Sequence, residues 1–198
     1  MRHIFILFLL VPLVVSCQRK QLSSSDVCYY FSVEQGVPRY RVLYKDNVVI
    51  QYSKLQIQLK DGILLDHDMV LLSSKDENVD ETWKPVLGEV SQIRNTYKQT
   101  TYFLEQKSSG VKVNITFRAY QEGIAFRYEF PAQPNLNYFI VTDELTEFKL
   151  SGNHHCFWIP GDFDSQEYVY NETRISEIDN NKLDMNNGIS VKSIKNQY

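Results

Sequence analysis

Between Cys28 and Leu59 the chain alternates apolar and polar residues almost position by position. The run CYYFSVEQGVPRYRVLYKDNVVIQYSKLQIQL breaks only at Gln35-Gly36 and Lys45-Asp46-Asn47, both hairpin-type turn signals. Leu55, Ile57 and Leu59 then alternate with Gln56, Gln58 and Lys60 until Asp61-Gly62 ends the segment. Further on, TTYFLEQKSSGVKVNITFRAYQEGIAFRYEFP repeats the grammar: strand, Ser-Ser-Gly turn, strand, Gln-Glu-Gly turn, strand, Pro. LNYFIV, TEFKL and HCFWIP read as three more short strands, and the polar segment Ser73 to Asp80 reads as a loop. No window of fifteen residues repeats its apolar positions at helical spacing. Short strands at even intervals with turn chemistry between them predict an all-β, antiparallel sandwich.

The N-terminus follows a different rule. MRHIFILFLLVPLVVSCQRK has a basic start, a short apolar core and a small residue before a cysteine, the pattern of an export signal rather than a spanning helix. Val14-Val15-Ser16-Cys17 resembles a bacterial lipobox, so residues 1–16 read as a lipoprotein-type signal peptide and Cys17 as the acylated first residue. Residues 17–26 read as a polar, Ser-rich tether and residues 27–198 as one domain. The expected location is therefore outside the cytoplasm, in the periplasm or on the outer membrane, with a membrane as partner through the lipid.

Composition narrows the partners. At 198 residues, 43% hydrophobic and 13% aromatic, the chain is long and apolar enough for a real core. A net charge of -3 with mixed signs gives no basic stripe, which argues against nucleic acid. Beyond Cys17 only Cys28 and Cys156 remain; export permits them to pair, and free thiols are the expectation.

No nucleophile elbow, phosphate-binding glycine loop or HExxH is present. His154, His155 and Cys156 offer two ligands on one strand face, short of what zinc needs, and read as a lead into a buried strand. In HCFWIPGDFDSQEY, Asp162 and Asp164 read as turn-shaping residues. Glu167 differs: a carboxylate at a strand-like position beside Tyr168 and Tyr170 suits calcium, although a solvated side chain is the commoner fate. Trp83 and Trp158 could stack on sugar rings, but core packing is the simpler reading of both.

ETWKPVLGE (Glu81 to Glu89), IRNTY (Ile93 to Tyr97), FRAYQEGIAFRYEFP (Phe117 to Pro131), NYFIV, WIPGDFDSQEY and SEI (Ser176 to Ile178) occur in that order. Together they resemble the N-terminal domain of glycoside hydrolase family 97, over about Cys28 to Ile178. The resemblance implies a galactose-mutarotase-like β-super-sandwich, followed in that family by a (β/α)8 catalytic barrel and a small β domain. It implies exported α-glucosidase or α-galactosidase chemistry on an α-linked oligosaccharide, with catalytic residues on the barrel. It also implies a calcium ion in the barrel's pocket, to which Glu167 would add one ligand. The sequence ends at Tyr198, ahead of any barrel, so no residue here is expected to be catalytic and the sandwich is expected to be incomplete at its C-terminus. Leu87 stands where many relatives carry a second Trp. The alternative is a free-standing, lipid-anchored glycan-binding module; sugar epimerisation would rest on fold alone.

Overall fold

A computed structural model describes residues 20–21, 26–60, 62–159 and 169–179. Among these residues the regular structure is twelve strands and one short 3-10 turn, Ile175–Glu177. No helix among them is long and apolar enough to cross a membrane.

The first sheet joins β1 (Lys20–Gln21), β2 (Val27–Glu34), β3 (Val37–Tyr44) and β4 (Asn47–Lys54) in sequence order, all antiparallel. Its first hairpin turns on Gln35 and Gly36, both with positive φ (52° and 79°), which fits the right-handed twist of the flanking strands. Gly36 is required there for a second reason. A Cβ at that position would meet the backbone nitrogen of Asp68 at 2.7 Å, and the Gly36 carbonyl accepts a hydrogen bond from the Met69 amide at 2.9 Å. The turn thus pins the start of the second sheet.

That second sheet runs β6 (Met69–Trp83), β7 (Ile93–Gln106), β8 (Lys112–Ala119) and β9 (Ile124–Glu129), again antiparallel and in sequence order. β5 (Ile57–Leu59) pairs with β10 (Val141–Glu144), and β11 (His155–Trp158) pairs with β12 (Asn171–Arg174) as separate ribbons.

Alternation decides what each strand buries. From β2 and β3, Val27, Tyr29, Phe31, Tyr40 and Val42 point inward; from β7 and β8, Tyr102, Leu104, Val113, Ile115 and Phe117 answer them. The ring of Phe117 stacks on Tyr29 (centroids 4.8 Å), and Phe31 stacks on Tyr102 (4.0 Å). Tyr40 enters the same cluster and places its hydroxyl so that it donates to the Glu147 carbonyl at 2.8 Å. Burial pushes the Tyr40 phenol well above its ordinary range.

Three readings of the sequence need correction. Ser73 to Asp80 is not a loop but the middle of the long strand β6, paired residue by residue with β7. It lacks alternation because it is an edge strand whose faces are largely exposed, so no face selects apolar residues. LNYFIV is irregular until Val141; Phe139 packs on Phe130 (4.5 Å) without entering a ladder. TEFKL runs beside β4 without becoming a regular strand. The Gln51 amide donates to the Lys149 carbonyl at 2.7 Å, but the Lys149 amide donates to Ser53 Oγ at 2.9 Å, and the Lys54 amide donates to the Glu147 carboxylate at 3.0 Å. Side chains take the places that a ladder would give to backbone carbonyls.

Cys28 is buried in β2 and Cys156 half-buried in β11, and no disulfide joins them. β11 is not the buried strand expected after His154 and His155: His155 and Phe157 are exposed. Trp158 is half-buried on that ribbon, outside the main core, and its Nε1 donates to Thr173 Oγ1 at 3.0 Å.

Phe117→Ala should remove the ring shared by both sheets and destabilise the domain by about 3–5 kcal/mol. Urea unfolding followed by tyrosine fluorescence would measure it.

Candidate functional site

β6 and β7 are longer than their neighbour. β8 pairs with β7 only from Lys98 to Glu105, so residues 79–83 and 93–97 continue as a two-stranded arm that ends in the turn 84–92. The family-like segments ETWKPVLGE and IRNTY are the two sides of this one arm, joined by the pairs Trp83↔Ile93, Thr82↔Arg94 and Glu81↔Asn95.

On one face of the arm Arg94 grips Asp80 as a fork, at 2.9 and 2.7 Å, and Thr96 Oγ1 donates to the same carboxylate at 3.2 Å. The Arg94 guanidinium holds the Asp80 carboxyl below its usual range. On the other face Asn95 donates to Glu81 at 2.8 Å. That face is continuous with the outward face of the second sheet, where a polar relay crosses the strands. The Lys75 ammonium sits 2.9 Å from Glu77, Gln99 donates to Glu77 at 3.0 Å, and Arg118 Nε donates to Gln99 at 2.8 Å. Lys75, ahead of every other cause, draws the Glu77 carboxyl below its ordinary range.

Arg118 also lies flat over Tyr97, 4.4 Å from the ring centroid, and Tyr120 packs on that same ring at 5.3 Å. Beside them Thr101 and Thr116 share a 3.0 Å hydrogen bond, and Thr116 donates to Glu129 at 3.2 Å. Tyr97 is 7% exposed although it faces away from the core, because Arg118 and Tyr120 close over it. At the far end the apolar residues are open: Trp83 is 49% exposed, Val86 98%, Leu87 89% and Val90 55%.

This shelf has the features of a recognition or docking surface. Arg94 and Lys75 hold Asp80 and Glu77 in the charged form, the opposite of what a general acid needs. Among the described residues no three His, Cys, Asp or Glu side chains gather as a metal site.

The predicted site residues fall differently. Glu167, with Asp162 and Asp164, lies outside the described residues, as does Cys17. Trp83, read as core, is instead half-exposed at the base of the arm's tip. Tyr97, Gln99, Arg118 and Tyr120 were not singled out by sequence reasoning. The available signal was that IRNTY places Tyr97, and FRAYQEG places Arg118 and Tyr120, on the strand face opposite to Thr100, Tyr102 and Phe117.

Two packed antiparallel sheets with this arm define a β-sandwich domain. The sequence matches the glycosyl-hydrolase 97 N-terminal family over residues 22–198, and the chain belongs to that family. A glycoside hydrolase family 97 enzyme from Pseudoalteromonas sp. strain K8, solved with panose, is 28% identical with a TM-score of 0.72, covering 79% of this chain and 24% of its own. The same enzyme solved with acarbose gives the same values, 28% and 0.72. A β-arabinopyranosidase at 22% identity and a TM-score of 0.63 shares the fold, over 70% of this chain. The chain spans about a quarter of the length of the family 97 enzyme it resembles, 24%.

Arg118→Ala should open the Tyr97 shelf and speed amide exchange along residues 93–97, with a global cost of only about 1 kcal/mol. Acid should loosen the arm as well. Because the Asp80 carboxyl is lowered in the fold, its contribution is fully present above the unfolded value of about 4 and is lost as pH falls through the folded value. Protection factors of the arm's amides, with the intrinsic pH dependence of exchange divided out, should therefore fall below about pH 4 and be flat between there and neutrality.

Proposed function

We propose that this chain acts as the N-terminal sandwich of a family 97 glycoside hydrolase, a protein that cleaves α-linked oligosaccharides with residues of a separate catalytic barrel. The observation that carries this reading is the placement of the family-like segments. Trp83, Tyr97, Arg118 and Tyr120 come from three of them and converge on one outward face, where the sandwich's own core does not need them. A surface with an ordered polar relay and an open apolar tip is built to meet another body, and in a longer polypeptide that body is the barrel.

On this reading Glu167 supplies one carboxylate to a calcium ion in the barrel's pocket. The described residues do not by themselves fit calcium, which takes six to eight oxygens at about 2.3–2.6 Å, whereas no cluster of three acidic or other ligating residues occurs among them. The remaining ligands must come from elsewhere, so calcium would link two bodies rather than stabilise one. We further propose that the chain is exported to the periplasm or the outer membrane, that residues 1–16 are removed, that acylated Cys17 anchors it, and that residues 17–26 form a tether in which Lys20–Gln21 rest on the edge of the first sheet.

A second reading, a free-standing glycan-binding module, is favoured by one feature: the indole of Trp83 is open to solvent next to polar side chains. Calorimetry separates the two. The hydrolase-domain reading expects no heat with panose, no calcium binding and no hydrolysis of aryl α-glucosides or α-galactosides by this chain alone. Panose binding that disappears in Trp83→Ala would establish the module instead; turnover dependent on Glu167 would overturn both. Cys17→Ala should move the chain from the membrane fraction to the soluble fraction, and an unchanged distribution would remove the anchor.

A further inference from the structure

The outward face of the first sheet carries a second ordered array. Ser32, Arg39 and Lys54 are register partners across β2, β3 and β4; beside them Tyr30 pairs with Arg41, and Tyr52 lies next to Arg41 at a register shift between β3 and β4. The guanidinium of Arg41 lies over both tyrosine rings, 5.0 Å from Tyr30 and 5.3 Å from Tyr52. Its Nε is buried without a hydrogen-bond partner. Among the described residues neither Arg39 nor Arg41 has a carboxylate within ion-pair distance, unlike Arg94 and Arg127, which do. The nearby acids are Glu34, which accepts from Ser32 at 3.0 Å, and Glu147, which is held by Lys149 at 2.9 Å. The face therefore has unneutralised positive charge framed by tyrosines.

Chain direction supplies the second observation. β1 pairs antiparallel with β2 at the sheet edge, Lys20 opposite Tyr29 and Gln21 opposite Cys28. The N-terminal end of β1, at Lys20, therefore points toward the Tyr30 and Ser32 end of β2, where Arg39 and Arg41 are the register partners. Cys17 is only three residues before Lys20, a span of at most about 10 Å. An acyl chain on Cys17 would enter a bilayer within reach of this face.

We infer that the Tyr30–Arg41–Tyr52 face, with Arg39 and Lys54, is a contact surface for an anionic lipid bilayer, and that it orients the anchored domain. This rests on the Cys17 anchor proposed above. Both halves of the chemistry fit: tyrosines favour the headgroup region, where ring and hydroxyl meet different surroundings, and basic side chains add attraction to anionic headgroups. A single lipid attachment gains from such a basic second contact. Docked this way, the first sheet lies on the membrane, and the arm on the second sheet stays free for its partner.

The test uses the full chain purified with its lipid and reconstituted into phosphatidylcholine vesicles, with or without phosphatidylglycerol. Phenylglyoxal modification of Arg39 and Arg41 is compared with that of Arg94, whose side chain is 70% exposed on the arm. On phosphatidylglycerol vesicles Arg39 and Arg41 should react several-fold more slowly relative to Arg94, and high salt should abolish the difference. The double change Arg39→Glu and Lys54→Glu should abolish the protection of Arg41 while leaving the circular dichroism spectrum unchanged. Equal labelling on the two vesicle types, with an acylated Cys17 peptide confirmed by mass, would overturn the orientation and leave the anchor standing. An unacylated Cys17 peptide would overturn the anchor, and this placement with it.

Discussion

The packing of Phe117 between the sheets is the constraint on which the other elements depend. Its ring touches Tyr29 and Phe31 of one sheet strand, Tyr40 of the next, Tyr102 of its own neighbour and Phe126 beyond, with centroids between 4.8 and 6.2 Å. Side chains in a strand alternate faces, so a slip of one residue in β2 would turn Tyr29 and Phe31 toward water, and a slip in β8 would turn Phe117 away from all its partners. The aromatic cluster therefore sets register in both sheets together. Gly36 secures the same arrangement from the edge. Its turn leaves only room for a hydrogen against Asp68, and so fixes where the second sheet begins relative to the first.

With register fixed at the base, the arm can extend far from any core. Beyond Lys98 the pair β6 and β7 is held by ladder bonds and by cross-strand side chains: the Arg94 fork on Asp80 and the Asn95 amide on Glu81. Such exposed pairs contribute fractions of a kcal/mol each. The arm accordingly belongs to the low-stability end of the structure, and its shape is set by an anchored base rather than by its own packing. The charges along β6 have a further effect. They keep a long free edge from pairing with another chain.

How far the sequence disclosed this depends on whether a face was buried. Strands β2, β3, β7 and β8 each bury one face, so their apolar residues recur every second position and the sandwich was legible. β6 was misread because Ser73 to Asp80 buries little on either side, and an edge strand of that kind has the composition of a loop. TEFKL was misread for the opposite reason: its pattern alternates, yet Ser53 and Glu147 side chains displace the ladder. The shelf was half-legible. Its segments were visible as a family resemblance, but nothing in single-residue spacing shows that Arg118 crosses from β8 to reach both Gln99 and Tyr97. That contact depends on strand order, which the sequence pattern leaves open.

Leu87 brings these strands of argument together. The family resemblance singled out Leu87 as standing in the place of an expected Trp. In the structure Leu87 is 89% exposed and Val86 98%, at the tip of the arm, so neither fills any cavity of this domain. A large-to-small change there alters no contact that stabilises the sandwich. Apolar side chains at this exposed tip add nothing to the stability of the sandwich. The shelf around Tyr97 stands apart from this tip: Arg118 and Tyr120 close over its ring, and Arg94 and Lys75 hold Asp80 and Glu77. The two parts of the arm thus differ in kind, a preorganised polar base and an exposed apolar tip, and a change of residue at position 87 falls on the surface rather than on the fold.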